Sequence, residues 1–274
     1  MTDRYDPERL TSETRVLWER LVGEMPSIVT RLYMFSYRFL PADGSPATSE
    51  FPRHLRMKLY SWRYWLLRAY EERQALREAS AEYIPLIIGP ERNDRALFAK
   101  DSPERIKSAY LLHRTVSATY SFYFALKALL DRIGTTVPWY FGVSLKGVRG
   151  GSRHRMLDET FPRLHQRIAG SEKPPGDLRN AMHGLSKRIV DLRNQQIEHP
   201  TDPSDGFTAY LDPRPEHVKR YVPIFATRID DLPSKWERLE DPDTLLADVE
   251  QYVALMLDYM QEHEGQSILR RDGD

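Results

Sequence analysis

Between Pro103 and Ile133 the residues Ala109, Leu112, Val116, Tyr120, Tyr123, Leu126, Leu130 and Ile133 recur at steps of three and four. That period places them on one face of a long helix, whereas a strand would scatter them over both faces. Asp101-Ser102-Pro103-Glu104 reads as its N-terminal cap and Gly134 as its stop. The same spacing predicts helices over about Pro175 to His199 (Leu178, Met182, Leu185, Ile189, Leu192) and Thr244 to Glu264 (Leu245, Val249, Tyr252, Met256, Met260). A shorter helix is expected over Arg155–Ala169. Upstream, residues 8–22 and 54–79 read as helical, while Ser27–Leu40 is compatible with helix or strand. Residues 41–52, 84–103, 134–152, 200–215 and 230–243 carry the Pro, Gly, Asp and Ser of loops. The expected class is all-α: an antiparallel helical bundle over residues 101–274 with an N-terminal helical extension over residues 1–100.

The chain has 274 residues, 41% of them apolar, with 15 Tyr, 10 Phe and 5 Trp, enough for a substantial core. Cysteine is absent, which excludes disulfides, thiolate metal sites and cysteine nucleophiles. The N-terminus lacks the apolar core of a signal peptide, and no apolar run approaches the roughly 18 residues that span a bilayer. A soluble, cytoplasmic protein is expected, with no membrane partner and no cofactor.

The 40 basic and 40 acidic residues cancel, so nucleic-acid binding would have to be local. They are unevenly placed. Residues 53–77 hold seven Arg or Lys against two Glu, and residues 230–264 hold eleven acids against two bases. Either these runs polarise the surface, or they pair within the fold or across a dimer.

The segment Asp191-Leu192-Arg193-Asn194-Gln195-Gln196-Ile197-Glu198-His199-Pro200 places an Arg-Asn pair five residues ahead of a histidine at the end of a predicted helix. Breaking RNA without a metal needs a base for the ribose 2′-hydroxyl, a cation for the phosphate and a proton for the leaving 5′-oxygen. His199 suits proton transfer, Arg193 suits phosphate, and Asn194 adds a neutral donor and acceptor. The pattern resembles the motif of the HEPN superfamily, with the resemblance covering about residues 103–264. It implies a helical bundle, frequent homodimerisation that joins two motifs in one composite cleft, and ribonuclease activity in many members, others being non-catalytic binders. On a regular helix Arg193 and His199 would point about 120° apart. Pro200 ends the helix at His199 and a dimer can supply one group in trans, which relaxes that mismatch. The structural alternative is a histidine interacting with its helix terminus and an arginine paired to an acid.

Arg179-Asn180-Ala181-Met182-His183 is a second, shorter Arg-Asn and His run, with Arg179 and His183 on one helix face. Lys146-Gly147-Val148-Arg149-Gly150-Gly151-Ser152-Arg153-His154-Arg155 mixes glycines with basic groups, so Lys146, Arg149, Arg153 and Arg155 are candidate RNA-binding residues. It lacks the ending of a P-loop. Trp139, Tyr140 and Phe141 just upstream either stack bases or anchor the loop. No metal-ligand spacing occurs; Glu262 and His263 are adjacent, and His54, His113, His165 and His217 are scattered singly. The sequence thus points to a metal-independent endoribonuclease of HEPN type. The alternatives are a non-catalytic RNA or nucleotide binder, or a helical adaptor for a protein partner.

Overall fold

A computed structural model describes residues 27–37, 50–88, 99–143, 152–171, 173–191, 208–211, 221–224 and 242–268. The fold is all-α, with helices α1 (Ser27–Tyr37), α2 (Glu50–Ile88), α3 (Pro103–Tyr140), α4 (Arg153–Ala169), α5 (Gly176–Leu185) and α6 (Pro242–Glu262). One short antiparallel ribbon, β1 (Thr208–Leu211) with β2 (Tyr221–Ile224), departs from the class and replaces part of a predicted loop. Its Thr, Tyr and Val residues favour extended backbone, and a two-stranded ribbon tolerates Pro223 because each strand has a free edge. The predicted helix over residues 8–22 lies outside the described residues. No described helix is long and apolar enough to cross a membrane.

Several helices depart from their expected bounds. Residues 27–37 resolve as helix, and α2 runs well beyond 54–79 at both ends. Ser102 caps α3 as expected, its Oγ accepting the Arg105 amide at 3.1 Å. Gly134 does not stop α3, which continues for six more residues. A Cβ at Gly134 would lie 2.4 Å from the carbonyl oxygen of Arg153, so this glycine serves close approach of two backbones. The stop comes at Gly142, which adopts φ +65. The predicted helix from Pro175 changes character after Leu185, where Ser186–Asp191 forms a π-helix.

The chain divides into two compact units whose boundaries fall inside helices. Among the described residues, the first takes α1, α2 to Leu67, α3 from Leu129, α4, α5 to Met182, and α6 from Glu250. Its core includes Leu59, Trp62, Leu130, Tyr140, Phe161 and Met256, all fully buried. The indole Nε1–H of Trp62 donates to Thr136 Oγ1 at 3.0 Å, satisfying its one polar atom. Arg31 pairs with Asp258 of α6.

The second unit takes α2 from Arg68, α3 to Ala128, the chain from His183 and α6 to Val249. Here the buried face of α3 runs through Leu111, Thr115, Ala118, Thr119 and Phe122, one position from the predicted row, and Leu112 is only half-buried. The threonines sit in the core because their hydroxyls donate to carbonyls four residues back, Thr115 to Leu111 and Thr119 to Thr115, each at 2.8 Å. Asp243 pairs with Arg73 at 3.2 Å and with Arg77, and Asp248 with Arg188 at 2.6 Å. Much of the acidity of α6 is therefore matched within the fold.

Candidate functional site

The start of α4 is held by a carboxylate from α3. Asp131 Oδ1 accepts from the Ser152 hydroxyl at 2.5 Å and from the His154 amide at 3.2 Å. Asp131 thus performs the capping that Ser152 would supply, and its negative charge meets the positive end of the helix. His154 then enters the core. Its Nε2 lies 3.1 Å from the Tyr252 hydroxyl, and both side chains are fully buried. Burial lowers the His154 pKa to about 4, against the opposing influence of Asp158 and Asp131. Burial also raises Tyr252 well above its ordinary value, with Asp158 adding to the effect. One turn along α4, the buried Asp158 pairs with Arg179 at 3.1 Å. This network fixes α4, and through it Arg153, the first residue of the helix.

Arg153 is exposed and lines a groove of about 430 Å³ together with Gly134, Thr135, Pro138, Trp139, Gly142, Val143 and Ile268. The volume suits a small ligand, and a mainly apolar wall with one cation is the usual chemistry of such sites. Trp139 is half-buried, whereas Tyr140 and Phe141 are sealed in the core, where their rings meet edge to face at 4.9 Å. The three aromatics therefore divide: Tyr140 and Phe141 anchor the chain, and Trp139 faces the groove. The Lys58 ammonium lies 5.0 Å from the Trp139 ring centroid. Burial lowers the Lys58 pKa, and the charge of nearby Arg132 lowers it further. Lys58 and Arg132 are thus close enough for their charges to interact, and Arg153 adds a cation to the groove wall.

A second polar group lies where α4 and α6 end. His165 Nδ1 is 3.0 Å from the Tyr259 hydroxyl, and the His165 and His263 rings are 6.0 Å apart. Burial, then the His263 charge, lowers the His165 pKa, while Glu262 and a backbone hydrogen bond with Lys173 oppose the shift. His165 is thus locally satisfied by the Tyr259 hydroxyl. Among the described residues no group of three or more His, Asp or Glu could hold a metal ion.

Of the residues singled out in the sequence, Arg193, Asn194, His199, Lys146 and Arg149 lie outside the described residues. Arg153 lines the groove, and Arg155 is exposed and paired to Glu159 at 3.2 Å. Arg179 is committed to Asp158, while Asn180 and His183 are exposed. In the sequence Lys58 is one charge of the basic run over residues 53–77, Tyr252 one position in the apolar row of α6 and His154 one more basic group of the glycine-rich stretch, while no local pattern marks Asp131. Their roles depend on contacts between distant segments. Comparison with protein-family models, curated proteins and solved structures returned no match.

Proposed function

We propose that this protein acts on RNA as a metal-independent endoribonuclease of HEPN type. In this reading Arg193 stabilises the phosphate, His199 transfers a proton and Asn194 positions the strand, with two chains forming a composite cleft. The ribose 2′-oxygen attacks the adjacent phosphorus and loses its proton to a base. The bond from phosphorus to the 5′-oxygen breaks, that oxygen takes up a proton, and a 2′,3′-cyclic phosphate remains.

The observation that carries the reading is the groove at Trp139 and Arg153. It offers an aromatic surface for a base and a guanidinium for a phosphate, and Arg153 belongs to the glycine-rich run that also supplies Lys146 and Arg149. The π-helical segment Ser186–Asp191 adds support, because such segments recur at functional sites and this one ends two residues before Arg193. The test is binding and cleavage of single-stranded RNA in EDTA. Wild-type protein is expected to bind and cleave, and Trp139→Ala and Arg153→Ala are expected to bind more weakly. Binding without cleavage leaves the non-catalytic binder in its place. Absence of both points to the protein-interaction adaptor.

A further inference from the structure

A second surface of the same unit is built for a polyanion with aromatic bases. At 100° per residue, Arg53, Arg56, Met57, Tyr60, Arg63 and Tyr64 of α2 fall within an arc of about 120° and run for about 16 Å along the helix. Met57, Tyr60 and Tyr64 are 62%, 54% and 52% exposed, and Arg53 and Arg56 are also exposed. No acidic residue occurs from Arg53 through Leu67. Arg63 is held with its guanidinium 4.8 Å from the Tyr60 ring and 5.7 Å from the Tyr33 ring. The opposite face of α2 buries Leu55, Leu59, Trp62 and Leu66 within the fold, so the helix has no broad apolar face left to enter a membrane.

We infer that this exposed face of α2 docks single-stranded RNA, its arginines meeting phosphates and Tyr60 and Tyr64 stacking on unpaired bases. The inference rests on the RNA-directed reading above but concerns a surface separate from the groove. Single-sign charge with interleaved exposed rings is the pattern of a strand-binding platform. Duplex RNA offers few base faces to stack on, so it should bind here more weakly than single strands.

The test is fluorescence anisotropy of a fluorescein-labelled single-stranded RNA against the full chain carrying His199→Ala, in EDTA, across a salt series. Arg53→Ser with Arg56→Ser should make the plot of log affinity against log salt shallower by about 1.4, since each phosphate contact to a single strand contributes about 0.7. Tyr60→Ala and Tyr64→Ala should each weaken binding at least about fivefold while leaving that slope unchanged. These positions are exposed, and an unchanged helical circular dichroism signal confirms that each variant is folded. If both sets bind as the parent does while Trp139→Ala loses affinity, the inference is overturned and the RNA reading stands. If the parent binds no RNA, both fail. Binding of anionic vesicles through these residues in place of RNA would overturn it as well.

Discussion

The Nε2 of His154 and the hydroxyl of Tyr252 lie 3.1 Å apart in a part of the protein where neither side chain meets solvent. They are 98 residues apart in sequence, so the contact ties the first turn of α4 to α6. The adjoining Asp131 contacts tie that same turn to α3. Arg153, which lines the groove, lies in the turn so fixed.

The burial of His154 makes stability depend on pH. The folded protein holds His154 at a pKa of about 4, against 6.5 for a free imidazole. Protons are therefore taken up on unfolding between those values. Stability is full above pH 6.5, declines as pH falls toward 4 and then levels off. Between pH 7.5 and pH 5 the expected loss from this residue is about 2 kcal/mol. His165 works in the same direction, so His154→Phe should flatten the urea-midpoint profile without abolishing its slope. An unchanged profile in that variant would contradict the assignment.

Tyr252→Phe keeps the ring and removes the hydroxyl that faces His154. A buried nitrogen then loses its partner, at a cost of about 1–3 kcal/mol measured by denaturant unfolding at neutral pH. Asp131→Ala removes the carboxylate that accepts from Ser152 and His154. Loss of such a cap costs about 1 kcal/mol. It should also weaken RNA binding at the groove, because Arg153 is no longer fixed.

Much of the fold was legible because the row from Leu126 to Ile133 and the pattern in α6 follow helical period with ordinary apolar residues. In the first half of α3 the reading slipped by one position, since Thr115 and Thr119 count as polar in a sequence but hide their hydroxyls by bonding backward. Gly134 read as a stop, because a glycine kept for close packing and one kept for a left-handed turn look alike until the second backbone is known. Of the candidate site, Arg153 was visible as part of a basic glycine-rich run. Trp139 was visible only as one of three aromatics, and burial alone separates it from Tyr140 and Phe141. Lys58 reaches Trp139 from a helix far away in sequence, and no local pattern announces that.

Gly134→Ala tests the close approach of α3 to α4. The new methyl would sit 2.4 Å from a backbone oxygen of Arg153, which cannot move aside as a side-chain end would. A loss of about 1–3 kcal/mol is expected from this overpacking, read as a lower thermal midpoint. Gly184→Ala is the matched control, because nothing lies within 4 Å of a Cβ there and helix propensity favours alanine.

On the proposed reading this protein cuts RNA without a metal through His199 and Arg193. The most direct measurement is the single-turnover cleavage rate of single-stranded RNA in EDTA, with the chemistry of the product ends determined. Wild-type protein should leave 2′,3′-cyclic phosphates, and His199→Ala should slow the reaction by about 10²–10⁴ while still binding the strand. Cleavage that proceeds equally well without His199, or no cleavage of any substrate by the wild-type protein, would contradict it.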